Sequence, residues 1–336
     1  MTSTDRTFAR ALQICYFGET PKFVVREVPY PNCGPREVVV APRFAAIHFA
    51  DVLMMRGQYQ LRLDLPFVPG MEAAGRVVSV GCDVTHVARG DRVLAVIDKG
   101  AFAEAFAVPA PQVARIPESM TYSTAATFGI TYFTAYAALH FRARIRAGET
   151  VLVTGVRGNV GRAVVQLAKN AGATVLAVSR DPEQASAELG PCVDHVVDAD
   201  PDALVDTIKH ITSGGGADVV VDVVGGPLLA QLARAVAWEG RLVVAGFASG
   251  TPAPIKPGHL LVKNIAVMGL QSTDYWYRHP EKLQAAWREL LALADEGVLQ
   301  VEEPRVFAFG DVRSAMSAVD EGTNGSVAIR IGANSL

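Results

Sequence analysis

Three glycines spaced by three, Gly155, Gly158 and Gly161, follow directly on the apolar run Val151-Leu152-Val153. Beyond them Val164, Val165, Leu167, Ala168 and Ala171 recur at helical spacing, so the segment reads as strand, turn and helix. Glycine takes positive φ without strain and carries no Cβ, which lets the free amides at a helix N-terminus close on an anion. The chemistry on offer is phosphate capture, with a dinucleotide pyrophosphate as the natural ligand. A G-x-G-x-x-G fingerprint for that ligand would begin at Val156, and Gly155 sits one place early. The same kind of turn also serves many doubly wound proteins that bind nothing there.

A dinucleotide site has a second requirement, at the end of the next strand. An acidic residue there accepts from a ribose 2′-hydroxyl, whereas serine or arginine suits a 2′-phosphate. At that point the chain reads Val178-Ser179-Arg180, which favours NADPH over NADH. Asp181 comes next, and the alternative is that Ser179, Arg180 and Asp181 simply cap a helix starting at Pro182. Farther on, Val244-Ala245-Gly246-Phe247 ends a strand on the carboxyl edge of the sheet, where open α/β folds bind ligands. Gly246 and Phe247 are candidates to face a nicotinamide, or else a plain strand-ending turn.

The elements that must hold these residues come in two textures. From about residue 8 to 125, short apolar runs such as EVVVAPRFAAI, EAAGRVVSVG and AFAEAFAVP are broken by Gly and Pro, as in a small β-rich domain. From about 120 to 270, strands alternate with helices. Strands are expected at 150–153, 174–178, 195–197, 218–222, 241–245 and 265–269, and helices around 160–171, 182–189, 201–212 and 228–238. The strands are nearly all apolar, as expected where helices cover both faces of a parallel sheet, and six of them make a full Rossmann sheet. An amphipathic helix, EKLQAAWRELLALADEG, and a β-like tail ending GSVAIRI follow; the tail returns to the texture of the first region.

Composition narrows the function classes. The chain of 336 residues has a net charge of −3, with lysine and arginine scattered along it, so nucleic acid is not an expected partner. No apolar stretch approaches the ~20 residues of a membrane span, and MTSTDRTFAR lacks a secretory apolar core, which points to the cytoplasm. Cys15, Cys33, Cys82 and Cys192 are far apart and form no C-x-x-C pair; reduced, mostly buried thiols are expected.

Several blocks in order resemble one family: PFVPGMEAAGRVVSVGCDVTHVARGDRV, FAEAFAVPA, AATFGITYFTAYAAL, AGETVLVTGVRGNVGRAVVQLAKNAGATV, DVVVDVVGG and EGRLVVAG. Together they are similar to the medium-chain dehydrogenase/reductase superfamily, in its zinc-independent quinone oxidoreductase (zeta-crystallin-like) branch, over about residues 11 to 332. The resemblance implies an α/β chain with a GroES-like β-rich catalytic domain, 1–122 and 300–336, around a Rossmann domain, 123–299, with the active site in the cleft between them. It also implies a homodimer.

Zinc-containing members hold their metal with a Cys, the His of a G-H-E motif and a later Cys. Here the matching stretches are AIHFADVL and PGMEAAG, with Met71 in place of that His, and a thioether is a poor zinc ligand. No cysteine lies between Cys82 and Cys192, so the four-cysteine structural zinc site is missing too. His48 and Glu72 remain as single ligands, too few for a catalytic site, and no metal is expected. Without a Lewis acid, alcohol oxidation is disfavoured, whereas hydride addition to a conjugated acceptor leaves an enolate or quinol that hydrogen bonds can carry.

The resemblance also implies site residues. Its N-x-x-D segment and following tyrosine match Asp51 and Tyr59, while His48 replaces the Asn. An imidazole there would donate a proton or bind an enolate oxygen, or be a hydrogen-bonded structural residue. Thr131 would lie beside the nicotinamide carboxamide or serve only as a buried helix threonine. Arg157, Asn159 and Val160 complete the phosphate turn; Asn159 tolerates left-handed backbone, and Arg157 would meet a phosphate or solvent. Gly225 joins the cofactor set at the end of DVVVDVVGG. Near the C-terminus Ser326 replaces a family lysine, and Asn324 is the candidate substitute. Tyr275, Trp276 and Tyr277 are candidates for a substrate wall or for core, and Arg56, Arg62 and Arg278 for a carboxylate or CoA contact.

The expected reaction is NADPH-dependent reduction of a quinone or an α,β-unsaturated carbonyl compound. Alternatives are an enoyl-thioester or 2-haloacrylate reductase, and a non-catalytic NADPH-binding protein of crystallin-like or RNA-binding type. The acidic balance speaks against the RNA-binding form.

Overall fold

The computed structural model describes residues 6–61, 63–251, 253–322 and 325–331. The chain divides into two compact units, residues 1–130 with 273–336, and residues 131–272. Among the described residues no helix is long and apolar enough to cross a membrane.

The first unit opens with an antiparallel pair, β1 (Phe8–Tyr16) and β2 (Lys22–Pro29). Its main sheet follows: β3 (Glu37–Ala46), β4 (Glu72–Val80), β5 (Arg92–Val96), β6 (Phe106–Pro109) and β7 (Val113–Arg115). Three helices interrupt or follow these strands, α1 (Phe49–Arg56), α2 (Tyr122–Ala125) and α3 (Gly129–Tyr136). The backbone of α3 runs on into a π-helical turn, Ala137–Ala143, which ends at Arg144 in left-handed geometry, φ 52°.

Six parallel strands make the second unit: β8 (Thr150–Val153), β9 (Thr174–Ser179), β10 (His195–Asp198), β11 (Ala217–Asp222), β12 (Val236–Val244) and β13 (Ala266–Gly269). Between them lie α4 (Asn159–Asn170), α5 (Pro182–Leu189), α6 (Leu204–Ile211), α7 (Leu229–Ala235) and α8 (Pro257–Lys263). The order β10-β9-β8-β11-β12-β13 is that of a Rossmann sheet, and every pairing is parallel. Its core joins Leu152, Leu176, Val220 and Leu242 of the strands to Leu204, Ile208 and Leu232 of the helices. One boundary departs from expectation: β12 begins at Val236, five residues before 241, because the chain extends directly out of α7 at Val236 (ψ 139°).

The chain then returns to the first unit with α9 (Asp274–Arg278), α10 (Pro280–Asp295), β14 (Arg305–Ala308), α11 (Val312–Asp320) and β15 (Val327–Arg330). Strands β14 and β15 complete the main sheet in the order β14-β15-β3-β4-β5-β7, with β6 on β3. Divided by its contacts, the chain returns to the first unit at Thr273, and α2 lies in the first unit. Amphipathicity reveals that Leu283, Ala286, Trp287, Leu290 and Leu291 of α10 are buried, but not which sheet buries them. The hydrogen bonds do: Trp287 Nε1 donates to the Gly129 carbonyl at 3.2 Å, and Gln284 Nε2 to the Pro111 carbonyl at 2.7 Å.

The four cysteines are unpaired, but none is fully buried; Cys82 lies exposed in the turn after β4, where backbone and not side chain makes the structure.

Candidate functional site

In the second unit the glycines do what their spacing requires. Gly155 ends β8 at φ 64°, and its carbonyl accepts the Gly158 amide at 2.9 Å, which folds the chain back to start α4. A Cβ on Gly161 would collide with the Gly155 carbonyl, so the helix packs onto the turn through bare backbone. Arg162 makes the first intrahelical bond, to the Gly158 carbonyl at 3.0 Å, and no side chain caps the helix. The amides of Asn159, Val160 and Gly161 thus precede the helical ladder beside the exposed Gly158, a cradle for an anion. Arg157 leans toward Glu188 of α5, Nε to Oε2 3.5 Å, and Glu188 also binds Arg162 at 2.7 Å. The cation of Arg157 is therefore partly matched by protein.

At the end of β9 the Ser179 hydroxyl closes a local turn, donating to the Asp181 carbonyl at 2.9 Å and accepting its amide at 3.1 Å. Asp181 caps α5, its carboxylate accepting the Gln184 amide at 3.1 Å. The segment thus caps a helix, as one of the two sequence readings has it, and Arg180 is exposed at the end of β9.

The other edge residues are gathered by a carboxylate that the site prediction missed. Asp222 ends β11 fully buried; it accepts the Thr154 hydroxyl at 2.5 Å and the amides of Val224 and Gly225 at 3.1 Å. It thereby ties the turn carrying Gly225 to the end of β8. Gly246 and Phe247 lie in the adjacent loop, which is laced to the same turn by Ala248 N–H to the Val223 carbonyl at 3.1 Å. Phe247 is about half exposed and Thr131 is buried in α3. Asn324 lies outside the described residues, as does Arg62.

The first unit holds a second constellation, made of side chains. His48 ends the extended segment after β3 and is the N-cap of α1, φ −91° and ψ 162°. Its amide donates to Asp51 Oδ2 at 2.9 Å. Its Nε2 meets Oε2 of Glu72, the first residue of β4, at 2.7 Å. Oε1 of Glu72 in turn accepts the amides of Gly129 and, at 3.2 Å, Ile130, so the same carboxylate caps α3. Asp51 and Glu72 are fully buried, and the His48 side chain is 14 % exposed.

Burial opposes a charge on His48, but the hydrogen bond and charge of Glu72, with the charge of Asp51, outweigh it and raise the imidazole pKa. Burial likewise raises Glu72 above the usual carboxylate range, against the pull of His48 and the two amides. Asp51 is pushed up to about 6 by burial, although the charge and amide of His48 and the Met71 amide draw it down.

Tyr59 lies half-buried, three residues beyond the end of α1. Trp276 is core and Tyr277 donates to Asp98 at 2.7 Å. Arg56 is paired with Asp320 at 3.0 and 2.5 Å, and Arg278 with Asp274 at 3.1 Å. Among the described residues no three His, Cys, Asp or Glu side chains are placed to hold a metal. The sequence offered Glu72 only as a single metal ligand beside His48, and the role it has here depends on partners 24 and 57 positions away.

Comparison with known proteins places these sites in context. The model described as "Alcohol dehydrogenase GroES-like domain" matches residues 34–118, and "Zinc-binding dehydrogenase" matches 159–296. The chain is 37 % identical to mouse Quinone oxidoreductase-like protein 2 over 296 residues, 87 % of this chain and 83 % of that protein. It is 32 % identical to the human Synaptic vesicle membrane protein VAT-1 homolog, over 94 % of this chain and 84 % of that protein. Among solved structures, the quinone oxidoreductase of Thermus thermophilus, crystallised also with NADPH, superposes with a TM-score of 0.82 at 31 % identity, covering 96 % of this chain and 99 % of that one.

Proposed function

We propose a reaction for a chain that belongs to the medium-chain dehydrogenase/reductase superfamily, in its quinone oxidoreductase branch. It is an oxidoreductase that uses NADPH, without zinc, to reduce a quinone or an α,β-unsaturated carbonyl compound. The observation that carries this reading is the turn from β8 to α4, with its uncapped amides, together with Arg180 at the end of β9 and the withdrawal of Asp181 into a helix cap.

The residues fit the cofactor. Asn159, Val160 and Gly161 would hold the pyrophosphate by their amides, and Arg180 the 2′-phosphate. When bound, the reduced nicotinamide supplies the hydride. The acceptor gains two electrons with that hydride and then requires a proton, for which the hydrogen-bonded His48–Glu72 pair, its imidazole favoured toward protonation by the carboxylate, is the proposed source. The absence of zinc chemistry is supported by Met71 at the ligand position and by His48 and Glu72 bonding each other.

The test is NADPH consumption, followed at the nicotinamide absorbance, with 1,4-quinones, 2-enones, 2-enals, enoyl-CoA and 2-haloacrylate, with and without a chelator. Turnover is expected with quinones or enones and is unchanged by the chelator. Arg180→Ala should raise the KM for NADPH about tenfold and leave that for NADH unchanged. Loss of activity with the chelator, or exclusive use of NADH, overturns the reading. We also propose a cytoplasmic homodimer joined through the sheet edge at β13, where Val267, Leu261 and Val262 are exposed; sedimentation velocity checks it.

A further inference from the structure

The amino edge of the Rossmann sheet, opposite the glycine turn, carries a feature that the proposed reaction does not use. Arg142, Arg144 and Arg146 alternate along FRARIR, from the last residues of the π-helical turn toward β8. With Arg241 of β12 they line a concavity of about 460 Å³ that also includes Glu239 and Met268. A local run of arginines thus meets one from a distant strand.

Arg241 serves the structure: it binds Glu149 through Nη1 at 2.9 Å and Nη2 at 2.8 Å, and its Nε donates to the Ala143 carbonyl at 2.9 Å. Set against Glu149, it leaves three guanidinium groups and one carboxylate, Glu239, an excess of two positive charges in the concavity. Arg142 adds a second sign. Its Nε is shut off from solvent with no acceptor among the described residues, a state that buried N–H groups rarely occupy. The backbone adds a third. Arg144 (φ 52°) and Glu239 (φ 57°), two of the few non-glycine residues in left-handed geometry, both line this concavity. At the end of a helix that conformation normally falls to glycine or asparagine, and strain of this kind concentrates where a site is held ready.

We propose that this concavity binds a small phosphate-bearing anion through Arg142, Arg144 and Arg146, independently of the cofactor turn. Planar guanidinium groups engage phosphate oxygens in pairs, and the volume suits a small molecule. Such a ligand would supply the missing counter-charge.

Isothermal titration calorimetry with pyrophosphate and with inorganic phosphate tests this, at fixed ionic strength on the full chain saturated with NADPH. Saturable binding is expected. Arg144→Gly should weaken it about tenfold while the melting temperature holds or rises, because glycine relieves the strain at that position. Arg146→Gln should weaken it similarly, and Arg180→Ala, at the cofactor edge, should leave it unchanged. The proposal fails if neither anion binds, if Arg144→Gly binds as well as the parent, or if Arg180→Ala loses the binding. Tighter binding of a single-stranded RNA oligonucleotide that Arg144→Gly abolishes would also overturn it, in favour of a nucleic-acid surface.

Discussion

The β8–α4 turn of the second unit and the His48–Asp51–Glu72 cluster of the first both prepare a place for charge, by opposite means. The turn uses backbone amides from consecutive residues, and its side chains matter mainly by being absent, as at Gly161. The cluster uses three ionisable side chains from separate segments, two of them fully buried, which satisfy each other and the first turn of α3. A backbone cradle keeps no charge of its own and costs little when empty. A buried side-chain cluster keeps its ionisable groups in the core whether or not a ligand is bound, and any charge on them must be compensated. The first arrangement should therefore fail in binding when altered, and the second in stability.

The largest effect that tests this difference is expected at Glu72. Glu72→Ala leaves His48 and two α3 amides without their acceptor and should cost about 3–5 kcal/mol in denaturant unfolding, whereas Glu72→Gln, which can still accept from the amides, should recover a large part. A loss below about 1 kcal/mol would show that the cluster is no keystone of the unit.

Asp51 is the next test, and its sign is opposite. Its carboxyl is raised to about 6 in the folded protein, so folding is favoured by its protonation at low pH and that contribution is lost as pH rises toward 6. Above this the buried carboxylate costs up to about 3 kcal/mol. Asp51→Asn should raise the melting temperature at pH 8 and scarcely change it at pH 4; equal shifts at both pH values would remove charge burial as the cause.

The smallest of the three in energy sharpens the comparison from the other side. Gly161→Val forces α4 away from the Gly155 carbonyl and should weaken NADPH binding about a hundredfold in a fluorescence titration. Its pH profile should match that of the parent, since no ionisable group is involved. A pH-dependent defect would mean that the two regions are not separable in this way.

Legibility in the sequence follows the same division. The glycine turn, the Rossmann strands and the amphipathic face of α10 are local patterns, and each appears where its periodicity places it, within a few residues. Asp222 was missed because a single Asp after an apolar strand carries no local signal; its importance lies in amides and a hydroxyl supplied by β8 and the next turn. The basic concavity was missed for a related reason, since Arg241 reaches FRARIR through its Nε bond to the carbonyl of Ala143, 98 positions away in the chain.

By itself, then, the sequence determined the periodic elements, the cofactor turn and the family. Those depend on the φ freedom of glycine and on short-range hydrophobic periods, which neighbouring residues settle among themselves. Only the tertiary structure decided that α10 packs with the first unit, that Glu72 links His48 to α3, and that Glu239 and Arg241 share one concavity with the arginines of FRARIR. Each of these pairs groups far apart in the chain, and it is the closing of the sheets, not any local preference, that brings them within hydrogen-bonding reach.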